Sequence, residues 1–433
     1  MKRLITQKLI EWKNKHDRKP LLLVGARQIG KSYSVLDFGK TEYANVVLFN
    51  FETSGDLRKI FEKDLNPSRI IRELEGFSGQ TITPGKTLIF FDEIQACGNA
   101  ITSLKYFCEQ APEYHVIGAG SLLGSFLVKD GVSFPVGKAD RIVMYPMTFQ
   151  EYLMEINPNL ISIIEESFTS NQPMSLHDTA MQLFREYLFT GGMPKAVLEW
   201  KNNAESIMVS AVHQEILSMY YGDMGKYATS TEQVKIRAVF DSLPSQLAKE
   251  NKKFQYALIG SNARAVHYEL GLQWLISAGL VLKCQKTKRG EAALAFYADL
   301  NSYKIYMSDI GLFGAKAGIP ASSLLSESSL IGSGIRGALS ESYVMQELSA
   351  NSFTPYYWES EGKAEVDFVI QLDDKVIPVE VKSADNVRSK SLSVFVSKFN
   401  PEYSIRVSAK NFGFENKIKS VPLYAVWCVK RGD

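Results

Sequence analysis

Cysteine is scarce in this 433-residue sequence: Cys97, Cys108, Cys284 and Cys428 stand far apart and form no CxxC pair. The five histidines, His16, His115, His177, His213 and His267, are equally dispersed. Neither a disulfide framework nor a structural zinc is therefore expected. Long apolar runs are also missing. The longest, such as Leu21–Val24 and Leu88–Phe91, have the length of buried strands and fall far short of a membrane span. No apolar signal core follows Met1-Lys2-Arg3. Charge of one sign does not dominate: 49 Lys and Arg against 47 Asp and Glu leave +2, so no global field draws the protein to nucleic acid or anionic lipid. With 45% apolar and 22% charged residues, a disordered or fibrous chain is excluded. These absences predict a reduced, cytoplasmic protein with no membrane partner. The closing Arg431-Gly432-Asp433 spells a cell-adhesion tripeptide, which that location makes a coincidence of letters.

What is present is a change of rhythm along the chain. At roughly 150 residues per domain the length allows about three. An amphipathic helix is expected over 2–17. Strands are expected at Leu21–Val24, Asn45–Phe51, Thr87–Asp92, Tyr114–Ala119 and Arg141–Tyr145, with helices at Asp56–Lys63, Ser68–Gly76 and Asn99–Gln110 between them. Short apolar strands joined by helices predict an α/β domain with a parallel sheet covered on both faces, over residues 1–155. Residues 156–230 read as a helical connector, with Gly191-Gly192-Met193-Pro194 stopping one helix and starting the next. In 231–315 a helix ends at Pro244 and a second runs from Ala263 to Ala278. Strands at Leu280–Cys284 and near Ala293–Ala298 then flank a basic turn. That order predicts a winged helix. The Ser/Gly-rich stretch Ser322–Gly334 reads as a linker. A last domain, 330–433, opens with a helix at Ala338–Leu348 and strands at Thr354–Trp358, Glu365–Gln371 and Val376–Lys382.

Two groups of residues carry chemistry. Gly25-Ala26-Arg27-Gln28-Ile29-Gly30-Lys31-Ser32 fits GxxxxGK[ST] between an expected strand and helix. Backbone N–H groups of such a loop wrap phosphate oxygens, Lys31 reaches the outer phosphates and Ser32 offers a hydroxyl to Mg²⁺. Leu88-Ile89-Phe90-Phe91 then delivers Asp92 and Glu93 to the same crevice, Asp92 for the metal and Glu93 for the attacking water. ATP and Mg²⁺ are the cofactors expected, with hydrolysis rather than binding alone. Ser121, ending the strand 114–119, stands either as a γ-phosphate sensor or as a helix cap. Arg141 stands either as a phosphate contact, in this chain or in a neighbour's site, or as a surface arginine. A nucleotide-dependent homo-oligomer follows from the former.

The second group is Asp367, Glu380 and Lys382. Residues two apart on a strand share a face, so Glu380 and Lys382 point together and Asp367 joins them across the hairpin. Two carboxylates with a lysine can hold a divalent cation beside a phosphodiester, with Glu341 as a further ligand. The competing reading is a cross-strand salt bridge. Lys283, Lys286, Lys288 and Arg289 put four charges around the expected wing, which reads either as a duplex DNA contact or as a solvated hairpin tip.

The segments Gly25–Ser32, Phe91–Ile94, Tyr145-Pro146-Met147-Thr148-Phe149-Gln150-Glu151-Tyr152, Gly191–Pro194 and Tyr306-Met307-Ser308-Asp309-Ile310-Gly311-Leu312 resemble a large prokaryotic family. Its members join an AAA-type ATPase domain to a domain of unknown function, DUF4143. The resemblance covers most of the chain. It implies a C-terminal winged helix joined to a restriction-endonuclease-like fold with the signature (D/E)…(D/E)xK. Asp367, Glu380 and Lys382 match that signature and Glu341 matches its helical acid. The implied function is an ATPase whose nucleotide state controls a DNA-binding, nuclease-like module. The alternative is a nucleotide-dependent switch whose C-terminal part binds protein or DNA without cutting. A metabolite kinase lacks any visible acceptor pocket.

Overall fold

The computed structural model describes residues 1–121, 135–226, 230–249, 252–260, 263–326, 331–360, 364–382 and 390–431. Of the expected linker and the closing tripeptide, Glu327, Ser328, Ser329, Leu330, Gly432 and Asp433 lie outside the described residues. The described chain divides into two units, residues 1–145 with 277–279, and 146–276 with 280–433.

The first unit opens with α1 (Ile5–Asn14), then β1 (Leu21–Val24), α2 (Lys31–Glu42), β2 (Asn45–Asn50), α3 (Gly55–Lys59) and α4 (Pro67–Ser78). It continues with β3 (Thr87–Asp92), α5 (Gly98–Gln110), β4 (His115–Gly120) and β5 (Asp140–Val143). Local chemistry sets the ends. The Asn66 side chain accepts from the N–H groups of Ser68 and Arg69, Pro67 fills the first turn of α4, and Gly79 ends it in a left-handed conformation. The five strands pair in parallel in the order β2-β3-β4-β1-β5. All residues of β1 and β3 are buried, as parallel strands between helical layers require. Phe49, Phe51, Phe61, Phe91 and Phe107 fill one side of the sheet edge to face, with ring centroids 5.4 to 6.4 Å apart. The order inserts β4 between the P-loop strand and the acidic strand. It therefore brings the ends of all three side by side, with Val24 opposite Gly120 and Phe91 opposite Gly118.

The second unit begins with helices α6 (Phe149–Ile156), α7 (Asn159–Ser170), α8 (His177–Thr190), α9 (Pro194–Asn203), α10 (Ser206–Lys226), α11 (Ser230–Leu247) and α12 (Ala265–Ser277). A reciprocal Thr148–Glu151 capping box starts α6. Pro244 does not end α11, contrary to the sequence expectation. Proline forgoes its own N–H bond and crowds the carbonyl four residues back, yet the helix continues past it, and its carbonyl accepts from Ala248 N–H at 3.0 Å.

Then follow β6 (Val281–Thr287), β7 (Ala298–Met307), α13 (Ile310–Lys316), α14 (Ala321–Leu325), α15 (Ser333–Ala350), β8 (Tyr356–Ser360), β9 (Ala364–Leu372) and β10 (Lys375–Val381). The chain closes with α16 (Lys390–Phe399), β11 (Ser404–Ser408), β12 (Gly413–Glu415) and β13 (Ile418–Pro422). The strand expected near 293–298 is instead a 3-10 turn, Leu294–Tyr297, and the pairing strand is the later and longer β7. Nor does the hairpin stand free as a wing. Parallel pairing of β6 with β8 makes it the edge of one eight-stranded sheet, β12-β13-β11-β10-β9-β8-β6-β7. The expected linker is shortened from both sides, because 321–325 and 333 onward are helical.

Three segments that carry the resemblance meet in this unit. Met147 N–H donates to Gly192 C=O at 2.7 Å, Gly192 N–H donates to Asp309 Oδ2 at 2.6 Å, and Ile310 N–H donates to Gln346 Oε1 at 2.9 Å. A Cβ on Gly192 would overlap the Met147 carbonyl, so no other residue fits this approach. Against the same joint lies Glu347. Its Oε1 accepts from Phe149 N–H at 3.0 Å, while Oε2 has no hydrogen-bond partner among the described residues. Burial pushes this carboxyl up to about 8, and Glu151 adds to the rise. Burial likewise lifts Asp309 to about 6 against the backbone N–H groups that hold it down.

A carboxyl that stays protonated in the folded chain and ionises near 4.5 in the unfolded one stabilises the fold fully below that value. The contribution is lost as pH rises toward about 8. Urea unfolding between about pH 5 and pH 9 should show stability falling by on the order of a few kcal/mol. Glu347→Gln keeps the acceptor and cannot ionise, so it should flatten that fall; an unchanged slope would mean that Glu347 is charged in the fold.

Candidate nucleotide site and C-terminal charge cluster

The first site stands on the carboxyl ends of β1, β3 and β4. Gly25 leaves β1 with φ +154°, and a Cβ there would overlap the Met144 carbonyl. Only glycine makes this turn. Gln28 also lies at positive φ, at +68°, and Gly30 precedes the first turn of α2. Lys31 is buried, and its Nζ donates to the carbonyls of Gly25 at 3.0 Å and Ala26 at 2.7 Å, folding back over its own loop. Ala26 and Ile29 are buried beneath the loop, while Arg27 and Gln28 lie toward its outside.

Across the crevice, Ser32 Oγ lies 3.0 and 2.9 Å from the two oxygens of Asp92. Burial pushes the Asp92 carboxyl up, and the bond from Ser32 and the nearby Lys31 pull against that rise. A hydroxyl and a carboxylate, both hard oxygen donors facing each other, suit Mg²⁺. Glu93 follows in a left-handed conformation, φ +49°, which turns its side chain away from the strand direction. Its Oε2 accepts from Gln95 Nε2 at 2.5 Å and lies 3.5 Å from Ser121 Oγ. The buried Ser121 thus faces the glutamate. Arg141 stands apart on the edge strand β5, opposite Leu22 and exposed.

Two members of this site escape sequence reasoning. Arg3, 8% exposed, donates from Nη1 to Ile29 C=O at 2.6 Å and from Nη2 to Tyr145 C=O at 2.8 Å. It pins the P-loop to the chain that follows β5. Gln95 grips Glu93. Neither belongs to a spacing pattern. The only hint was an arginine beside the apolar stripe of the first helix.

In the second unit the antiparallel register of β9 and β10 runs Val379 opposite Phe368. One step further, Asp367 Oδ2 accepts from Val381 N–H at 2.8 Å. Lys382 Nζ pairs with Glu380 at 2.6 Å. Glu341, from α15, contacts Lys252 and lies 3.8 Å from Lys304 Nζ and 3.3 Å from the Tyr306 hydroxyl. Lys304, fully buried, also contacts Glu365. Desolvation, then Glu341 and Glu380, push the Asp367 carboxyl well up, against the pull of Lys304 and the Val381 N–H. Glu341 goes the other way: Lys304 and Lys252 outweigh its burial and hold it down. The expected residues are thus brought together, but with two lysines that the sequence did not flag. Among the described residues no group of three or more His, Cys, Asp or Glu is placed to hold a metal ion.

The four cations of the hairpin are largely committed to their own chain. Lys283 lies 4.1 Å over the Tyr303 ring, Lys286 pairs with Glu359 at 3.0 Å, and Arg289 pairs with Glu291 at 3.5 Å. Lys288 is exposed.

Three family models match the chain: an AAA domain over residues 17–153, a domain of unknown function (DUF8612) over 181–323, and a domain of unknown function (DUF4143) over 336–426. No curated protein matches. Among solved structures, a Walker-type ATPase of Pyrococcus abyssi is 15% identical, with 72% of this chain and 94% of that one covered at a TM-score of 0.39. The RuvB Holliday junction branch migration motor of Thermotoga maritima is 13% identical, with 65% and 89% covered at a TM-score of 0.31. The Aeropyrum pernix ORC2 protein is 12% identical, with 74% and 88% covered at 0.34. Among the described residues no helix is long and apolar enough to cross a membrane.

Removing the Arg3 guanidinium would leave two partly buried carbonyls unpaired, at roughly 1–3 kcal/mol each. Arg3→Met should lower the thermal midpoint of the first unit and weaken ATP binding together, whereas Lys31→Ala should weaken binding alone. Calorimetric titration and thermal unfolding separate the two; ATP affinity unchanged in Arg3→Met would mean that the loop holds its shape without it.

Proposed function

We propose, from the premise that the chain is an AAA-type ATPase carrying a C-terminal DUF4143 domain, that it binds ATP with Mg²⁺ and hydrolyses it. The observation that carries this is the facing pair Ser32 and Asp92 with Glu93 beside them, at the end of the strand next but one to the P-loop strand. Lys31 exchanges the carbonyls of Gly25 and Ala26 for the outer phosphates. Backbone N–H groups of 25–32 wrap the phosphate chain, and the start of α2 adds partial positive charge. Ser32 and Asp92 would hold Mg²⁺, which offsets phosphate charge as the bond to the γ-phosphate breaks. Glu93 orients the attacking water and accepts its proton, and Ser121 stands where a polar group senses the γ-phosphate. Glu93→Gln should preserve ATP affinity and lower turnover by about a hundredfold or more, because only the proton acceptor is lost. Turnover equal to that of the parent protein would take Glu93 out of this role.

Nucleotide state is proposed to control the C-terminal module, and that module reads best as one that binds a protein or DNA without cutting. The observation favouring this over cleavage is that lysines of the same chain contact Glu341, Glu365 and Glu380. They supply from within the positive charge that a metal would bring. The expectation of metal-dependent cleavage rests on Asp367, Glu380, Lys382 and Glu341. Titration of the nucleotide-free protein with Mn²⁺ decides between the readings. The parent protein and Asp367→Ala should give the same heats. A site lost in Asp367→Ala would restore the nuclease reading.

A further inference from the structure

Gln95 is 1% exposed and lies on the 3-10 turn Ile94–Ala96 that follows the acidic strand. Its Nε2 reaches Glu93 Oε2 at 2.5 Å. The chemistry fixes which end of the amide faces the glutamate, because an ionised carboxylate only accepts and the amide nitrogen only donates. That leaves Gln95 Oε1 buried, and it has no hydrogen-bond partner among the described residues. A buried amide oxygen left unpaired costs free energy, so such an atom calls for a physical reason.

The surroundings supply one. Glu93 leaves its strand at φ +49°, a strained conformation for a side chain of its size. In that conformation its carboxylate is held from one side by Gln95 and approached from the other by Ser121 Oγ at 3.5 Å, the residue after the β4 strand end. The carboxylate thus lies between Gln95 and Ser121, near enough to Asp92 to act on that carboxyl. A single hydrogen bond to Ser121 at that distance is too weak to fix it. The short contact to Gln95 is the one that selects its direction.

We propose that Gln95 is a positioning residue for the hydrolytic step: its amide N–H orients the Glu93 carboxylate that accepts the attacking water's proton. The inference rests on the ATPase reading and adds to it a group that touches neither phosphate nor metal. The water's oxygen bonds to the γ-phosphorus, the bond from that phosphorus to the bridging oxygen breaks with its electron pair leaving on ADP, and the water's proton passes to Glu93. Gln95 stays unchanged throughout. A carboxylate held in one direction fixes the O–H that points to it and so restricts the water's approach to the phosphorus.

The test is a double-mutant cycle on the full chain, with ATP and Mg²⁺ as ligand and phosphate release as readout. Gln95→Leu and Gln95→Met both remove the amide, and the latter preserves side-chain length. Each should lower kcat by about tenfold or more with KM and ATP affinity within about twofold of the parent protein. In the Glu93→Gln background, adding Gln95→Met should cost nothing further, because a residue acting through Glu93 has nothing left to orient. An equal loss in both backgrounds overturns the proposal, as does loss of folding or of ATP affinity in both variants. A parent protein that does not hydrolyse ATP removes the ATPase reading and this inference together. A parent protein that hydrolyses it, with a background-independent effect of Gln95→Met, removes this inference alone.

Discussion

Leu21, Leu22, Leu23 and Val24 are buried on both faces of the first sheet, and the nucleotide site depends on that burial. A four-residue strand has few hydrogen bonds with which to resist displacement. It is held because it lies between β4 and β5 in parallel register and because removing its side chains from water is worth roughly 1.5–3 kcal/mol each. Gly25 can then leave the sheet at one defined point, against the Met144 carbonyl. The distances from Lys31 and Ser32 to their partners are consequences of where β1 ends. Arg3 completes the clamp from outside the sheet, tying the loop carbonyl of Ile29 to that of Tyr145.

How much of this was legible follows from the range of each contact. The P-loop and the Asp92-Glu93 pair are local patterns, so eight consecutive residues and a strand end sufficed. Bringing Ser32 and Asp92 to one crevice needed only the assumption that the strand ends lie on one side of a parallel sheet. Gln95 is two residues from Glu93, yet nothing in the letters says that a 3-10 turn bends it back onto the carboxylate. Arg3 and Lys304 contact groups 26 and 61 residues away, and such contacts leave no periodicity to read. The hairpin was misplaced for a different reason. Leu294–Tyr297 has the apolar composition of a strand, but Ala293 sits at φ +62° and turns the chain into a 3-10 segment, so pairing starts only at Ala298.

Three segments that mark the family resemblance, around Met147, Gly192 and Asp309, meet in one place in this fold. They form a joint of backbone-to-backbone and carboxylate-to-backbone bonds buried among Phe149, Tyr152, Tyr187 and Tyr343. Such a joint tolerates almost no change in side-chain volume, because the backbones of Gly191 and Gly311 touch and a Cβ on Gly192 would overlap the Met147 carbonyl. A distinctive motif in a sequence can therefore mark a place where packing is unforgiving rather than a place where substrate binds.

The parallel pairing of β6 with β8 has a consequence for how the chain is made. Gln285 bonds to the strand around Tyr356, and the whole of α13, α14 and α15 lies between them in sequence. During synthesis the β6–β7 hairpin emerges first and has one side of β6 uncovered until β8 has left the ribosome. An open strand edge is a template for pairing with another chain, and long-range parallel pairings form slowly. At elongation rates of about 5–20 residues per second the exposed interval lasts several seconds. Crowding on a polysome would then favour swapped or aggregated products of this sheet, and the nascent hairpin is the segment a chaperone would have most reason to cover.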